Sequence, residues 1–248
     1  VKTISQRVIS LSTVLLLTLI AALPALAQDY EAVRERLVGL AGEGVTPIIA
    51  ETPINGILQI RLGSEIVYMS DDARYLMQGR LLDLDTRLDL TDQAKSEIRR
   101  EMIENIDEAS MITYGPDDAE HEIMVFTDVD CGFCRKLHHE IPEYNEAGIQ
   151  IHYLAFPRAG AGSNTFQKME SVWCAADANA AMDIAKDGGE PDPASCDSPV
   201  NAQYLLGQSI GVTGTPALIT ANGDLIPGYV PPDDLRARLE RLQAASQD

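Results

Sequence analysis

Ile123-Met124-Val125-Phe126-Thr127-Asp128-Val129-Asp130-Cys131-Gly132-Phe133-Cys134-Arg135 decides how this chain is read. Ile123 to Phe126 is a short apolar run with the length and β-branched content of a buried strand, and Arg135 to Tyr144 reads as a helix. Cys131 therefore falls where a strand turns into a helix N-terminus. Unpaired backbone N–H groups and the positive end of the helix dipole stabilise a thiolate there, so more of it is ready to attack at neutral pH. Cys134, one turn further in, is expected to be covered and able to attack back. Two cysteines at this spacing can cycle between dithiol and disulfide.

The same pair is also half of a zinc site, which needs a second pair or two histidines at ligand spacing. There is no second Cys-x-x-Cys, and His138 and His139 are neighbours whose side chains diverge by about a third of a helical turn. Redox chemistry without a bound metal is the expectation.

The start of the chain points to export. Lys2 and Arg7 precede an uncharged apolar run from Val8 to Leu23, and Ala25-Leu26-Ala27 is a small-residue cleavage site. Residues 1–27 read as a signal peptide, with the mature chain starting at Gln28. An uncleaved anchor is the competing reading, since Val8 to Gln28 approaches the ~20 residues that span a bilayer. The Ser and Thr content, Pro24 and the Ala-Leu-Ala site favour cleavage.

Export to an oxidising compartment permits stable disulfides, which leaves Cys174 and Cys196 for each other. The Gly/Pro/Asp-rich stretch Asp187 to Pro193 between them can loop back. Closing such a loop stabilises a fold by roughly 3 kcal/mol. Neither cysteine has a strand-to-helix setting, so the bridge reads as structural rather than as a second reactive pair.

The formal charge is −19. Without the leader's two cations, 17 basic residues face 38 acidic ones. Phosphate backbones would repel such a chain, so nucleic acid is excluded as a partner.

Residues 28–90 read as a small N-terminal domain. Gln28 to Gly39 is an amphipathic helix with Val33, Leu37 and Leu40 among charges, ending at Gly39 and Gly42. Short strands follow at Gly56–Ile60, Glu65–Met69, Arg74–Met77 and Arg80–Leu84. About sixty residues bury little core, and pairing with a second copy through a sheet edge would supply the missing burial. Residues 91–112 read as a linker, with Ala94, Ile98, Met102, Ile106 and Ala109 at helical spacing over Thr91 to Ser110. That periodicity fits equally a helix packed into either core.

Residues 113–248 alternate strand and helix, the pattern of an α/β sheet, so the fold class is α+β overall with an α/β C-terminal domain. Helices are expected over Ser163 to Lys186, Val200 to Ile210 and Pro232 to Leu242. Asn222-Gly223 between Ala217–Ile219 and Leu225–Ile226 signals a two-residue hairpin turn.

The Cys-Gly-Phe-Cys pair after a strand, followed by Gly214-Thr215-Pro216 before a hairpin, resembles the thioredoxin fold. The whole arrangement is similar to the DsbC/DsbG family of periplasmic disulfide isomerases. The likeness rests on Phe126-Thr127-Asp128, Tyr153 to Arg158, Trp173-Cys174-Ala175, Pro193 to Asp197, Gly211 to Ala217 and Pro227-Gly228-Tyr229, and more loosely on Gln78 to Leu84. It implies a cis Pro216 packed against the active-site pair and a helical insertion in a thioredoxin-like catalytic domain. It further implies a structural Cys174–Cys196 bridge and a homodimer joined through residues 28–90.

On that resemblance Cys131 is the attacking cysteine and Cys134 the resolving one, Thr215 and Pro216 hold an extended substrate, and no diffusible cofactor is needed. Substrates would be misoxidised exported proteins in the periplasm, and a DsbD-type membrane protein would return the pair to its dithiol. A DsbG-like reductase of oxidised single cysteines with chaperone activity is the alternative. Tyr153, Phe156 and Tyr229 fit either an apolar substrate surface or the core. Asp130 departs from the family pattern: a carboxylate beside Cys131 opposes thiolate formation, while Arg135 favours it.

Overall fold

A computed structural model describes residues 30–41 and 46–245. The expected leader (1–27), the start at Gln28 and the helix end at Gly42 lie outside the described residues. Helix α1 (Glu31–Ala41) turns Val33 and Leu37 inward and leaves Leu40 exposed. It covers one face of an antiparallel sheet of β1 (Ile48–Glu51), β2 (Ile57–Leu62), β3 (Glu65–Ser70) and β4 (Leu76–Met77), in that order. Leu58, Ile60, Val67 and Met69 complete this core.

β3 is buried on both faces, because Ile66 and Tyr68 on its other side pack against Ile98 of α2 (Leu90–Ile103). The helix over the expected linker is thus packed rather than free. It is also shorter than Thr91 to Ser110: it ends at Ile103, and Asp107 caps a separate 3-10 turn, Glu108–Ser110. The expected strand over Arg80–Leu84 is absent apart from a bridge between Leu82 and Asp89. Asp83 accepts from the amides of Asp85 and Thr86 at 2.9 and 3.1 Å, which folds the segment into an Asx turn and leaves Leu84 85% exposed.

Helix α2 also docks on the C-terminal part of the chain. Buried Arg99 donates to the carbonyls of Ile210 (3.2 Å) and Gly223 (3.3 Å) and pairs with Asp92 (3.3 Å). The helix backbone lies so close to Gly223 that a Cβ there would meet the Ser96 carbonyl at 2.0 Å.

The second sheet has the order β5-β7-β6-β8-β9, formed by β5 (Ile112–Tyr114), β6 (His121–Thr127), β7 (Ile149–Ala155), β8 (Ala217–Thr220) and β9 (Leu225–Pro227). β6 and β7 are parallel and the other pairs antiparallel. One face carries Ile123, Val125, Ile151 and Tyr153 against helices that include α3 (Gly132–His139). The other carries Phe126, Leu154 and Ile219, with Ile103 of α2 among its neighbours.

Three expected elements are divided differently. The helix read from Arg135 to Tyr144 breaks at Glu140 into α3 and α4 (Ile141–Glu146), because Pro142 has no N–H and sits at the start of a new helix. Ser163 to Lys186 is α5 (Asn164–Trp173) and α6 (Ala178–Lys186), separated at Cys174 with Asp177 capping the second. The β8–β9 connection is four residues long (221–224) rather than two, with Gly223 at φ 83° and its N–H on the Thr220 carbonyl. α7 (Val200–Ser209) and α8 (Pro232–Ala245) complete the described chain. No helix among the described residues is long and apolar enough to cross a membrane.

Candidate active site

The parallel pair β6 and β7 directs its carboxyl ends toward the loop 128–131, and Cys131 is the N-cap of α3. Asp128 shapes that loop. Its buried carboxylate accepts from the amide of Asp130 (2.7 Å), and its other oxygen accepts from the Arg158 amide (3.0 Å) and guanidinium (2.9 Å). The Asp128 carbonyl takes the Cys131 amide at 3.2 Å. Asp128 and Arg158 fall in the stretches that carried the resemblance, but their pairing emerges only from the fold.

The Thr215–Pro216 peptide is cis and leads directly into β8, which runs antiparallel to β6. This sets the Thr215 carbonyl oxygen 3.2 Å from Cys131 Sγ. Both cysteines of the pair are free thiols, with Cys131 only 3% exposed and Cys134 1%. Beside them Phe133 is 64% exposed and stacks on Tyr229, with ring centroids 6.3 Å apart. Tyr229 in turn donates to Glu140 and lies under the Lys136 ammonium, 4.5 Å from its ring. Of the three aromatics considered for a substrate surface, Tyr153 and Phe156 are core and Tyr229 is half-buried beside the site.

The electrostatics separate the two thiols. Cys131 is drawn down to about 5, chiefly by the hydrogen bond from Cys134, with the Cys134 amide and the Arg158 charge adding to it against the effect of burial. Cys134 is pushed up by burial and by its hydrogen bond to Cys131. At neutral pH the pair therefore holds one thiolate, on the outer cysteine.

The Asp130 carboxylate, expected to oppose that thiolate, is engaged elsewhere. It accepts from Thr165 (2.6 Å) and Lys168 (3.2 Å) and lies 3.5 Å from Arg135. Burial raises its pKa, yet these partners hold it below the usual carboxylate range. Its charge is compensated by two cations before it reaches the sulfur.

Beneath the pair lies a polar layer the sequence did not announce. Lys186, at the end of α6, is fully buried. His138, one turn beyond Cys134, contacts Asp183 (3.1 Å) and the Tyr153 hydroxyl (3.3 Å). Burial and then the Lys186 charge bring His138 down to about 4, so it is neutral at pH 7. Lys186 ends a helix whose Ala181, Met182 and Ala185 read as its core side, and a terminal lysine there reads as solvated. Among the described residues no cluster of three His, Cys, Asp or Glu side chains is placed to hold a metal ion.

Cys174 and Cys196 form a disulfide with Cα atoms 5.5 Å apart, closing the loop that carries α6.

Comparison with known proteins agrees with this architecture. Residues 108–243 match the family model for a thioredoxin-like domain, and residues 23–92 the model for the disulfide bond isomerase protein N-terminal domain. The chain is 36% identical over 232 residues to the thiol:disulfide interchange protein DsbC of Escherichia coli K12, covering 92% of this chain and 95% of that one. It is also 36% identical to the DsbC of Haemophilus influenzae, over 89% of this chain and 94% of the relative. Among solved structures, a linker-deleted Proteus mirabilis ScsC matches with a TM-score of 0.50 at 18% identity, over 62% of this chain and 85% of that chain, a likeness of fold alone.

Proposed function

The chain belongs to the DsbC family of thiol:disulfide interchange proteins, and on that premise we propose that it isomerises wrongly paired disulfides in exported proteins. The observation that carries the reading is the placement of the free Cys-Gly-Phe-Cys dithiol, with Cys131 at the N-terminus of α3 and its sulfur 3.2 Å from the Thr215 carbonyl ahead of the cis Pro216.

Cys131 thiolate attacks one sulfur of a substrate disulfide. A bond forms between Cys131 and that sulfur, and the electron pair of the broken bond leaves on the second substrate sulfur. The released thiolate can then attack another disulfide of the same substrate, and a final attack on the mixed disulfide frees Cys131, with no net electron transfer. If this stalls, Cys134 attacks Cys131 Sγ, the substrate leaves reduced, and the enzyme keeps the disulfide. A membrane-bound reductant of the DsbD type would restore the dithiol.

Thr215 and Pro216 are assigned to substrate binding. The backbone ahead of Pro216 borders Cys131, and main-chain hydrogen bonds there would accept an extended segment whatever its side chains. Exposed Phe133, stacked on the half-buried Tyr229, supplies an aromatic flank.

Residues 28–90 are assigned to dimerisation. β4 is the edge of its sheet, and Tyr75, Leu76 and Met77 are exposed there, an apolar edge suited to a second copy. The leader over 1–27 would deliver the chain to the periplasm.

The test is adduct capture. Cys134→Ser is expected to accumulate mixed disulfides with substrate through Cys131, and Cys131→Ser to form none. Adducts forming through Cys134 instead would overturn the order of attack.

A further inference from the structure

Lys186 is a fully buried cation whose hydrogen bonds, among the described residues, go to a hydroxyl and a carbonyl and not to a carboxylate. Its Nζ donates to Thr127 Oγ1 at 2.5 Å and to the Asp128 carbonyl at 3.2 Å, and lies 5.3 Å from the centre of the Tyr153 ring. Thr127 and Asp128 are the last turn of chain before the cysteine pair. The ammonium is thus fixed at the end of β6, against the Tyr153 ring of β7, where the chain turns toward the cysteine pair. Burying such a charge without a carboxylate partner is costly, and a negative charge arising nearby would relieve that cost.

Three elements face the Lys186 ammonium with groups that can carry such a charge. The loop after β6 offers the Asp128 carboxylate, but this is already engaged by Arg158. β7 offers Tyr153, whose ionisation burial suppresses strongly. α3 offers Cys134 against the opposing Arg135 and the neutral His138. Cys131 lies at its start. Of these, an ionised Cys134 would pull the lysine upward most, ahead of Asp128 and Cys131.

We propose that Lys186 is the positioning charge for the resolving step, its buried ammonium stabilising the Cys134 thiolate as that sulfur attacks the mixed disulfide. This rests on the reading that Cys131 attacks first. Once Cys131 is bound to substrate, the thiolate that took a hydrogen bond from Cys134 is gone. Cys134 then gives its proton to solvent and its sulfur bonds to Cys131 Sγ. The bond from Cys131 to the substrate sulfur breaks, and the electron pair leaves with that sulfur, which takes a proton back. The enzyme dithiol is oxidised and the substrate disulfide reduced. The first step has its own supports, the N-terminus of α3, the Cys134 thiol and Arg158, so Lys186 acts chiefly on the second.

Burial brings Lys186 to about 8, so it is mostly an ammonium at neutral pH and sensitive to nearby sulfur charge.

The test is Lys186→Met, which keeps the length and removes the charge. In single-turnover reduction of a disulfide-bonded peptide, decay of the mixed disulfide at pH 7 is expected to slow more than tenfold. The pH at which decay is half-maximal is expected to rise by at least one unit, while formation of the adduct slows less than threefold. A folded variant with unchanged decay and an unchanged pH profile overturns the proposal.

A second measurement needs no variant. In wild-type protein, side-chain nitrogen NMR should show Lys186 titrating at a higher pH in the dithiol form than in the disulfide form. Equal titration in both overturns the proposal even if the variant fails to fold. Failure of the underlying reading would show separately, as the absence of a Cys131 adduct in the wild-type reaction.

Discussion

Arg158 closes over Asp128 with both its backbone amide and its guanidinium on one carboxylate oxygen, at 3.0 and 2.9 Å, and so ties the end of β7 to the loop that carries Cys131. The carboxylate is buried and the arginine half-exposed. Arg158→Met leaves a buried charge with fewer partners and is expected to destabilise the fold by about 2 kcal/mol. It also removes a positive charge that lowers the Cys131 pKa, so the thiolate absorbance of Cys131 should titrate at higher pH. Chemical denaturation and ultraviolet titration of the reduced protein check both.

A Cys131 thiol near 5 should be alkylated at a rate that is half-maximal near pH 5, while Cys134 stays unreactive through neutral pH. Because the folded value lies below that of a free cysteine, about 8.5, the thiolate stabilises the reduced fold fully above the unfolded value. That contribution is lost as pH falls through 5. The reduced protein should therefore lose stability relative to the oxidised one between about pH 8 and pH 5, as paired denaturation curves would register. A constant difference across this window would contradict the assignment.

The Cys174–Cys196 disulfide closes a 22-residue separation around α6. Replacing both cysteines with alanine should cost about 3 kcal/mol in urea unfolding. Trapping of substrate by Cys131 should persist in that variant at temperatures where it remains folded. Loss of trapping from a folded variant would give the bridge a role in the chemistry.

Met77 lies on the exposed edge strand of the small sheet and pairs with Tyr68 of β3. A charge on such an edge discourages strand pairing between copies. Met77→Lys is expected to lower the native mass measured by light scattering from two chains to one without changing helix content. An unchanged dimer would move the interface elsewhere in the N-terminal domain.

The sequence made the redox site legible because its signals are local. The apolar run before Cys131 and the helix after it fix the setting of the pair, and Thr215-Pro216 is a short motif. Where packing decides, the sequence is silent. Arg99 sits among polar residues of an amphipathic helix, yet turns inward because the carbonyls of Ile210 and Gly223 meet it there. Lys186 has the position of an ordinary C-terminal helix cation and becomes buried only when α6 is laid beneath the cysteines. Asp130 reads as an unfavourable neighbour until Thr165 and Lys168, more than thirty residues away, take its charge. The run over Arg80–Leu84 has the alternation of a strand, but Asp83 offers its own backbone a competing turn.

Reshuffling of disulfides by the Cys131 thiolate, as distinct from their reduction, is measured by adding the reduced protein to a scrambled multi-disulfide enzyme in glutathione buffer and following recovery of that enzyme's activity. Recovery well above buffer alone, abolished in Cys131→Ser, is the predicted result. Loss of substrate disulfides without recovery of activity would contradict it and make the protein a reductase.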